Sequence, residues 1–215
     1  MSSFYIPKYN CVFIHIPKTA GSSIRNDFFN KDYIGAYHRY PLKYRNVFSF
    51  CFVRHPYDRL ISAYNFFHYK IQVTRYKNLK LSFIEFLAIV IDESIDYQES
   101  NIYTNVKGFI RHHTIPQTHE FNQLQYAKFI GRHENLQTDW QKICTIINAS
   151  YEPLKQNNVS QKHNLYTYCF QTLMPNKYQT YQYKKYINNH SLTIINQFFD
   201  QDFKILNYEK IKVLT

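Results

Sequence analysis

Glycine is scarce in this chain, with four in 215 residues, and methionine (two) and tryptophan (one) are scarcer. The four cysteines, Cys11, Cys51, Cys144 and Cys169, show no CxxC spacing, so neither a thiolate metal site nor a disulfide framework is implied. Cys11 and Cys51 stand in apolar runs, where a free thiol behaves as a small hydrophobe. No apolar run approaches the roughly 20 residues that a membrane-crossing helix needs; the longest is FLAIVI at 86–91. The opening MSSFYIPKYNCVFIHIP lacks a basic segment followed by a long apolar one, so no secretory signal is read. The expectation is a cytoplasmic protein, or one at the inner face of a membrane. Negative charge is also short: 15 Asp and Glu face 26 Lys and Arg, a net +11. That balance favours a polyanionic partner, whether nucleic acid, anionic lipid, nucleotide or acidic glycan, and does not choose among them.

What is present reads as one globular domain, 1–215, with 45% apolar and 19% charged residues. CVFIHI at 11–16 is short, continuous and β-branched, as expected of a buried parallel strand. Pro17 ends it, and SSIRNDFF at 22–29 reads as a helix with Ser22 and Ser23 as N-cap candidates. The pattern repeats at 46–70, NVFSFCFVRHPYDRLISAYNFFHYK: an apolar strand, then Pro56 in a first helical turn and Asp58 at the helix's positive end. Two such units predict an α/β fold with a parallel sheet. Further on, Ser82 and Glu85 form a capping box for a helix over 82–92. The polar, His-rich stretch 96–120 is expected to be loop, AKFIGR at 127–132 a third strand, ENLQTDWQKICTIIN at 134–148 a helix, and the C-terminal HSLTIINQFFDQDFKILNY a helix with a short closing segment.

The turn PKTAGSS, 17–23, feeds a helix N-terminus, whose unpaired N–H groups and partial positive charge suit a phosphate. Gly21 lets backbone approach an anion, Lys18 adds a full charge, and Thr19, Ser22 and Ser23 add hydroxyls. It is not a Walker A loop, in which Lys directly follows the last Gly and a Mg²⁺-binding Ser or Thr follows the Lys; here Lys18 precedes Gly21. A donor-only loop suits group transfer without metal. The second strand ends in Arg54, at the edge where α/β sheets bind ligands, and Ser62 with Arg59 shares a face of the next helix. Arg54 and Ser62 are candidates for a second phosphate; Arg59 is expected to pair with a carboxylate such as Asp58.

Together, IPKTAGSS and VRHPYDRLISAY resemble the two nucleotide elements of sulfotransferases that use 3′-phosphoadenosine 5′-phosphosulfate (PAPS). The likeness is to the carbohydrate branch, with heparan 2-O-sulfotransferases and small bacterial relatives. HTIPQTHEF (113–121), FIGRHENLQTDWQKI (129–143) and QDFKILNY (201–208) are similar to later elements of that branch. The resemblance implies a P-loop-like three-layer α/β fold, a central parallel sheet flanked by helices. It implies that Pro17, Lys18, Thr19, Ala20, Gly21, Ser22 and Ser23 cradle the 5′-phosphosulfate, that Arg54 and Ser62 hold the 3′-phosphate, and that Lys162 and Asn164 belong to a loop over the cofactor. His38, between the two elements, is the expected base, Lys18 the group that stabilises the leaving phosphate, and His113 and Gln117 contacts to a carbohydrate acceptor. His112, His113 and His119 offer an alternative base; solvation is expected for His112 and His119, a core position for His15, and Glu134 is expected to order the site wall or cap its helix. The expected cofactor is PAPS, with PAP as product and no metal, and no nucleic-acid partner is expected. The competing readings are a polyanion-binding or nucleic-acid-binding module, from charge and tyrosine content, and a small-molecule kinase, which would need Mg²⁺.

Overall fold

The computed structural model of the chain describes residues 2–29, 32–37, 40–70, 81–98, 104–154 and 183–214. His38, Lys162, Asn164 and Cys169 lie outside them. The strands are β1 (Ser2–Ile6), β2 (Cys11–His15), β3 (Ile34–Tyr37), β4 (Phe48–Val53) and β5 (Phe129–Arg132). The α-helices are α1 (Pro56–Asn65), α2 (Phe83–Ile91), α3 (Val106–Thr114), α4 (Leu136–Ile146), α5 (Asn189–Phe198) and α6 (Asp200–Ile205). They fall into two compact units, Met1–His55 with Ile115–Asn157, and Pro56–Thr114 with Asn158–Thr215. No described helix is long and apolar enough to cross a membrane.

The first unit holds a five-stranded sheet in the order β3-β1-β2-β4-β5. Its centre, β2 with β4 and β4 with β5, is parallel, and the α/β class expected from the two strand-turn-helix units is observed. Two antiparallel strands extend it. A tight turn at Pro7–Tyr9, closed by Asn10 in the left-handed region (φ 45°), folds β1 back on β2, and β3 then pairs antiparallel with β1. The sequence reading missed this hairpin because Pro7 and the polar KYN break an already short apolar run. β4 is buried from Ser49 to Val53, as a strand covered on both faces must be. Phe13, Phe50 and Phe52 pack with Ile24, Phe29, Trp140 and Ile143 in one cluster, each fully buried side chain contributing about 1.5–3 kcal/mol. Burial pushes the Cys11 thiol up to about 12 and Cys144 to about 11, and raises Cys51 as well. These thiols are packing groups, not nucleophiles.

The second unit is helical. Ser82 and Glu85 form the expected capping box on α2, each side chain accepting from the other's backbone N–H. Within the expected loop at 96–120, Val106–Thr114 instead form α3. Val106, Phe109, Ile110 and His113 recur at the i, i+3, i+4, i+7 spacing of a helix face, the Asn105 side chain accepts the Gly108 N–H at 2.8 Å, and Arg111 occupies the last turn, where a cation complements the helix dipole. Two buried arginines hold helix ends together through carbonyl oxygens. Arg59, 2% exposed, donates to the His113 carbonyl at 3.1 Å, while Asp58 accepts from the Tyr183 hydroxyl at 3.1 Å. Arg111 donates to the carbonyls of Asp92 and Ile95.

Tyr57, in the first turn of α1, is fully buried and ties the C-terminal segment down. Its hydroxyl donates to Asn196 on α5 and accepts the Ile211 N–H at 3.0 Å, while Asn196 donates to the Ile211 carbonyl at 2.9 Å. Burial lifts the phenol to about 12, against the opposing pull of these hydrogen bonds. Tyr57→Phe removes this hydroxyl from the half-buried Ile211 N–H and Asn196 amide oxygen, so it should cost about 0.5–1.5 kcal/mol. A lowered urea midpoint with unchanged slope is the expected readout; an unshifted midpoint would show that the triangle does not hold the C-terminal segment.

Candidate functional site

The three parallel strands release the chain side by side at their carboxyl ends. β2 runs into Ile16–Ser23, β4 into Arg54 and His55, and β5 into His133 and Glu134; the pairing Val53 with Arg132 makes Arg54 and His133 the next residues out of adjacent strands. Such an edge is where open α/β sheets place ligands.

In the β2 loop, Lys18 (φ 69°) and Ala20 (φ 80°) both adopt the left-handed region, with Thr19 between them outside it. Alternation of this kind turns successive N–H groups toward one point and builds an anion-binding concavity. The conformation is held from below. Thr19 is fully buried and its hydroxyl donates to the Ile16 carbonyl at 2.8 Å, so what it offers a ligand is its N–H, not the hydroxyl expected from the sequence. The Ala20 carbonyl accepts the first helical bond, from Ile24 N–H at 3.2 Å. Ser22 precedes the Ser23–Phe28 helix as its N-cap residue, with αR backbone and no side-chain cap hydrogen bond. This helix is wider-turned, and Arg25 Nε donates back to the Gly21 carbonyl at 3.3 Å. Gly21 is required by space. A Cβ there would lie 2.1 Å from Cδ2 and Nε2 of the His15 ring, so the imidazole packs against the loop's backbone. His15 is half-buried at the end of β2, where its ring supports the loop and is not simply core.

At the end of β4, the Arg54 peptide is bracketed by one side chain. Arg54 N–H donates to Gln117 Oε1 at 2.8 Å, and Gln117 Nε2 donates to the Arg54 carbonyl at 2.8 Å. The next N–H, of His55, donates to a Glu134 carboxylate oxygen at 2.7 Å. Arg54 is half-buried, and no carboxylate among the described residues forms a salt bridge with it. Beside it, burial and then the Arg54 charge drive the His133 imidazole down to about 3, so His133 is neutral at physiological pH. Behind it, Asp139 accepts the Arg132 N–H at 2.9 Å and pairs with Lys142. Among the described residues no group of three or more His, Cys, Asp or Glu is placed to hold a metal ion.

The sulfotransferase family model matches residues 2–209, through both compact units. The chain belongs to the sulfotransferase family. Searches of curated proteins and of solved structures returned no match. Membership makes the protein a transferase of sulfuryl groups.

In this sulfotransferase, the structure brings Pro17 to Ser23 together with Arg54 at one sheet edge. Ser62 belongs to the second unit, half-buried on α1. His113, also there, places Nδ1 2.9 Å from the Phe109 carbonyl and its ring nearly parallel to Phe66. His112 contacts the Tyr97 carbonyl in the same way, and His119 Nδ1 accepts the Phe121 N–H at 3.1 Å as a cap, so both are engaged with backbone and not simply solvated. Gln117 is fully buried with both amide atoms engaged by Arg54. His133 was missed in the sequence, although its place just after a parallel strand is the same signal that singled out Arg54.

Two outcomes follow from this geometry. Gly21→Ala should destabilise the protein by about 1–3 kcal/mol through overpacking, and His15→Ala in the same chain should recover part of that loss; additive losses in the melting temperature would show that the ring does not set the space. For His133, the unfolded state binds a proton below about 6.5 that the folded state refuses until about 3. Stability is therefore complete above pH 6.5 and falls as pH drops through that window, by at most about 1.4 kcal/mol per pH unit from this residue. His133→Gln should flatten the fall, measured by urea unfolding across pH; an unchanged pH profile would contradict it.

Proposed function

We propose that this sulfotransferase transfers a sulfuryl group from PAPS to a hydroxyl of a carbohydrate acceptor. The observation that carries the reading is the donor-only loop, left-handed at Lys18 and Ala20, beside an Arg54 with no ion pair among the described residues, on the neighbouring strand edge. The fit to an anionic nucleotide is chemical: backbone N–H groups, the Ser22 hydroxyl, and two cations, with no carboxylate in the loop to repel it. Pro17 to Ser23 would hold the 5′-phosphosulfate, and Arg54 with Ser62 the 3′-phosphate by charge-assisted hydrogen bonds; Lys162 and Asn164 would complete the nucleotide site. Bound PAPS supplies the activated sulfuryl group.

Lys18 places positive charge where the leaving phosphate oxygen gains its negative charge. His38 would be the base that accepts the proton of the attacking hydroxyl. His113 would contact the acceptor. The reading treats residues 1–215 as a single catalytic domain and requires no metal. The net +11 charge favours an acidic polysaccharide over a neutral one.

The test is transfer of radiolabelled sulfur from PAPS to a panel of polysaccharides in the presence of EDTA. Lys18→Ala should lower kcat by about 10²–10³, and His38→Ala by about 10²–10⁴ with a lost acidic limb in the pH profile. Transfer that depends on added divalent metal, or that survives Lys18→Ala unchanged, would contradict the reading.

A further inference from the structure

An arginine recognises a phosphate by aiming a rigid fork of N–H groups, so the direction of its backbone matters as much as its charge. Arg54 leaves β4 just past its last paired residue, where the ladder to β5 ends at Val53 with Arg132. Its peptide groups would there have no strand partner. Gln117 replaces the strand: its side-chain amide accepts from Arg54 N–H and donates to Arg54 C=O, both at 2.8 Å, the two-bond exchange of a paired strand residue. The amide is fully buried, and Pro116 beside it is held at its carbonyl by Asn122, itself buried. Glu134 fixes the following N–H, that of His55.

We propose that Gln117 is a positioning residue for the nucleotide's 3′-phosphate, acting by extending the β4 ladder one residue so that the Arg54 fork is pre-aimed. This rests on the PAPS reading of Arg54. The role is specific: Gln117 sets the affinity for a 3′-phosphate and leaves the grip of the Lys18 loop on the 5′ group unaltered, because the loop is held by its own contacts to Ile16, His15 and Ile24.

Calorimetric titration of the full chain with 3′-phosphoadenosine 5′-phosphate and with adenosine 5′-phosphate, which lacks the 3′ group, tests it. Gln117→Met, of similar volume, should weaken binding of the bisphosphate about tenfold, the effect of misdirecting one charge-assisted contact, and leave binding of the monophosphate within about twofold. In an Arg54→Ala background the same change should have no further effect. If Gln117→Met fails to fold, Gln117→Glu keeps the shape and the acceptor but loses the donor to the Arg54 carbonyl, and should show the same 3′-selective loss. Bisphosphate affinity that falls with Arg54→Ala but not with a folded Gln117 variant, or equal loss for both nucleotides, overturns the positioning role alone. Wild-type protein without bisphosphate affinity, or affinity indifferent to Arg54→Ala, overturns the nucleotide reading beneath it.

Discussion

The left-handed backbone at Lys18 and Ala20 is the constraint around which the first unit is arranged. Neither residue is glycine, and each such conformation costs on the order of 1–3 kcal/mol, so it persists only because its surroundings over-determine it. Thr19 hooks the loop to the Ile16 carbonyl from a fully buried position. The His15 ring occupies the space that a side chain at position 21 would need. Downstream, Ile24 and Phe29 anchor the helix in the cluster that holds Trp140 and Phe50. Strand, loop and helix are thereby one block, and the strain is spent on aiming N–H groups at a single point before any ligand arrives, the pre-organisation that electrostatic binding requires.

The neighbouring strands follow the same logic with different means. Arg54 is directed by hydrogen bonds to its peptide, not to its guanidinium, which keeps the charged fork uncommitted to any carboxylate among the described residues. His133 stays neutral next to it, so the edge carries the cations of Lys18 and Arg54 without a third beside Arg54 to repel it. Glu134 contributes its carboxylate to a backbone N–H. At this edge Gln117 and Glu134 fix their neighbours' backbone, and that support gives the sulfotransferase family's match a physical content in this chain.

The central architecture was legible in the sequence because it rests on local signals: continuous apolar strands, Pro17 and Pro56 after them, and a capping box at Ser82 and Glu85. The β1–β2 hairpin was not, since Pro7 and Asn10 read as a break where they make a turn. Helix α3 was hidden by its histidines, although the i, i+3, i+4, i+7 spacing of Val106, Phe109, Ile110 and His113 was there to be counted. The site's residue types were visible, but the direction of their hydrogen bonds was not. That Thr19 turns its hydroxyl inward to the Ile16 carbonyl is decided within the loop itself, whereas the service of Gln117 to Arg54 depends on a tertiary contact across 63 residues of chain, which no local pattern encodes.

The central claim is that this strained loop and Arg54 form one metal-independent nucleotide site. Backbone amide NMR during titration with 3′-phosphoadenosine 5′-phosphate in EDTA tests it most directly. The account predicts saturable shifts concentrated at Lys18 to Ser23 and at Arg54. Saturable binding that leaves those amides unmoved, or shifts that appear only with ATP and Mg²⁺, would contradict it.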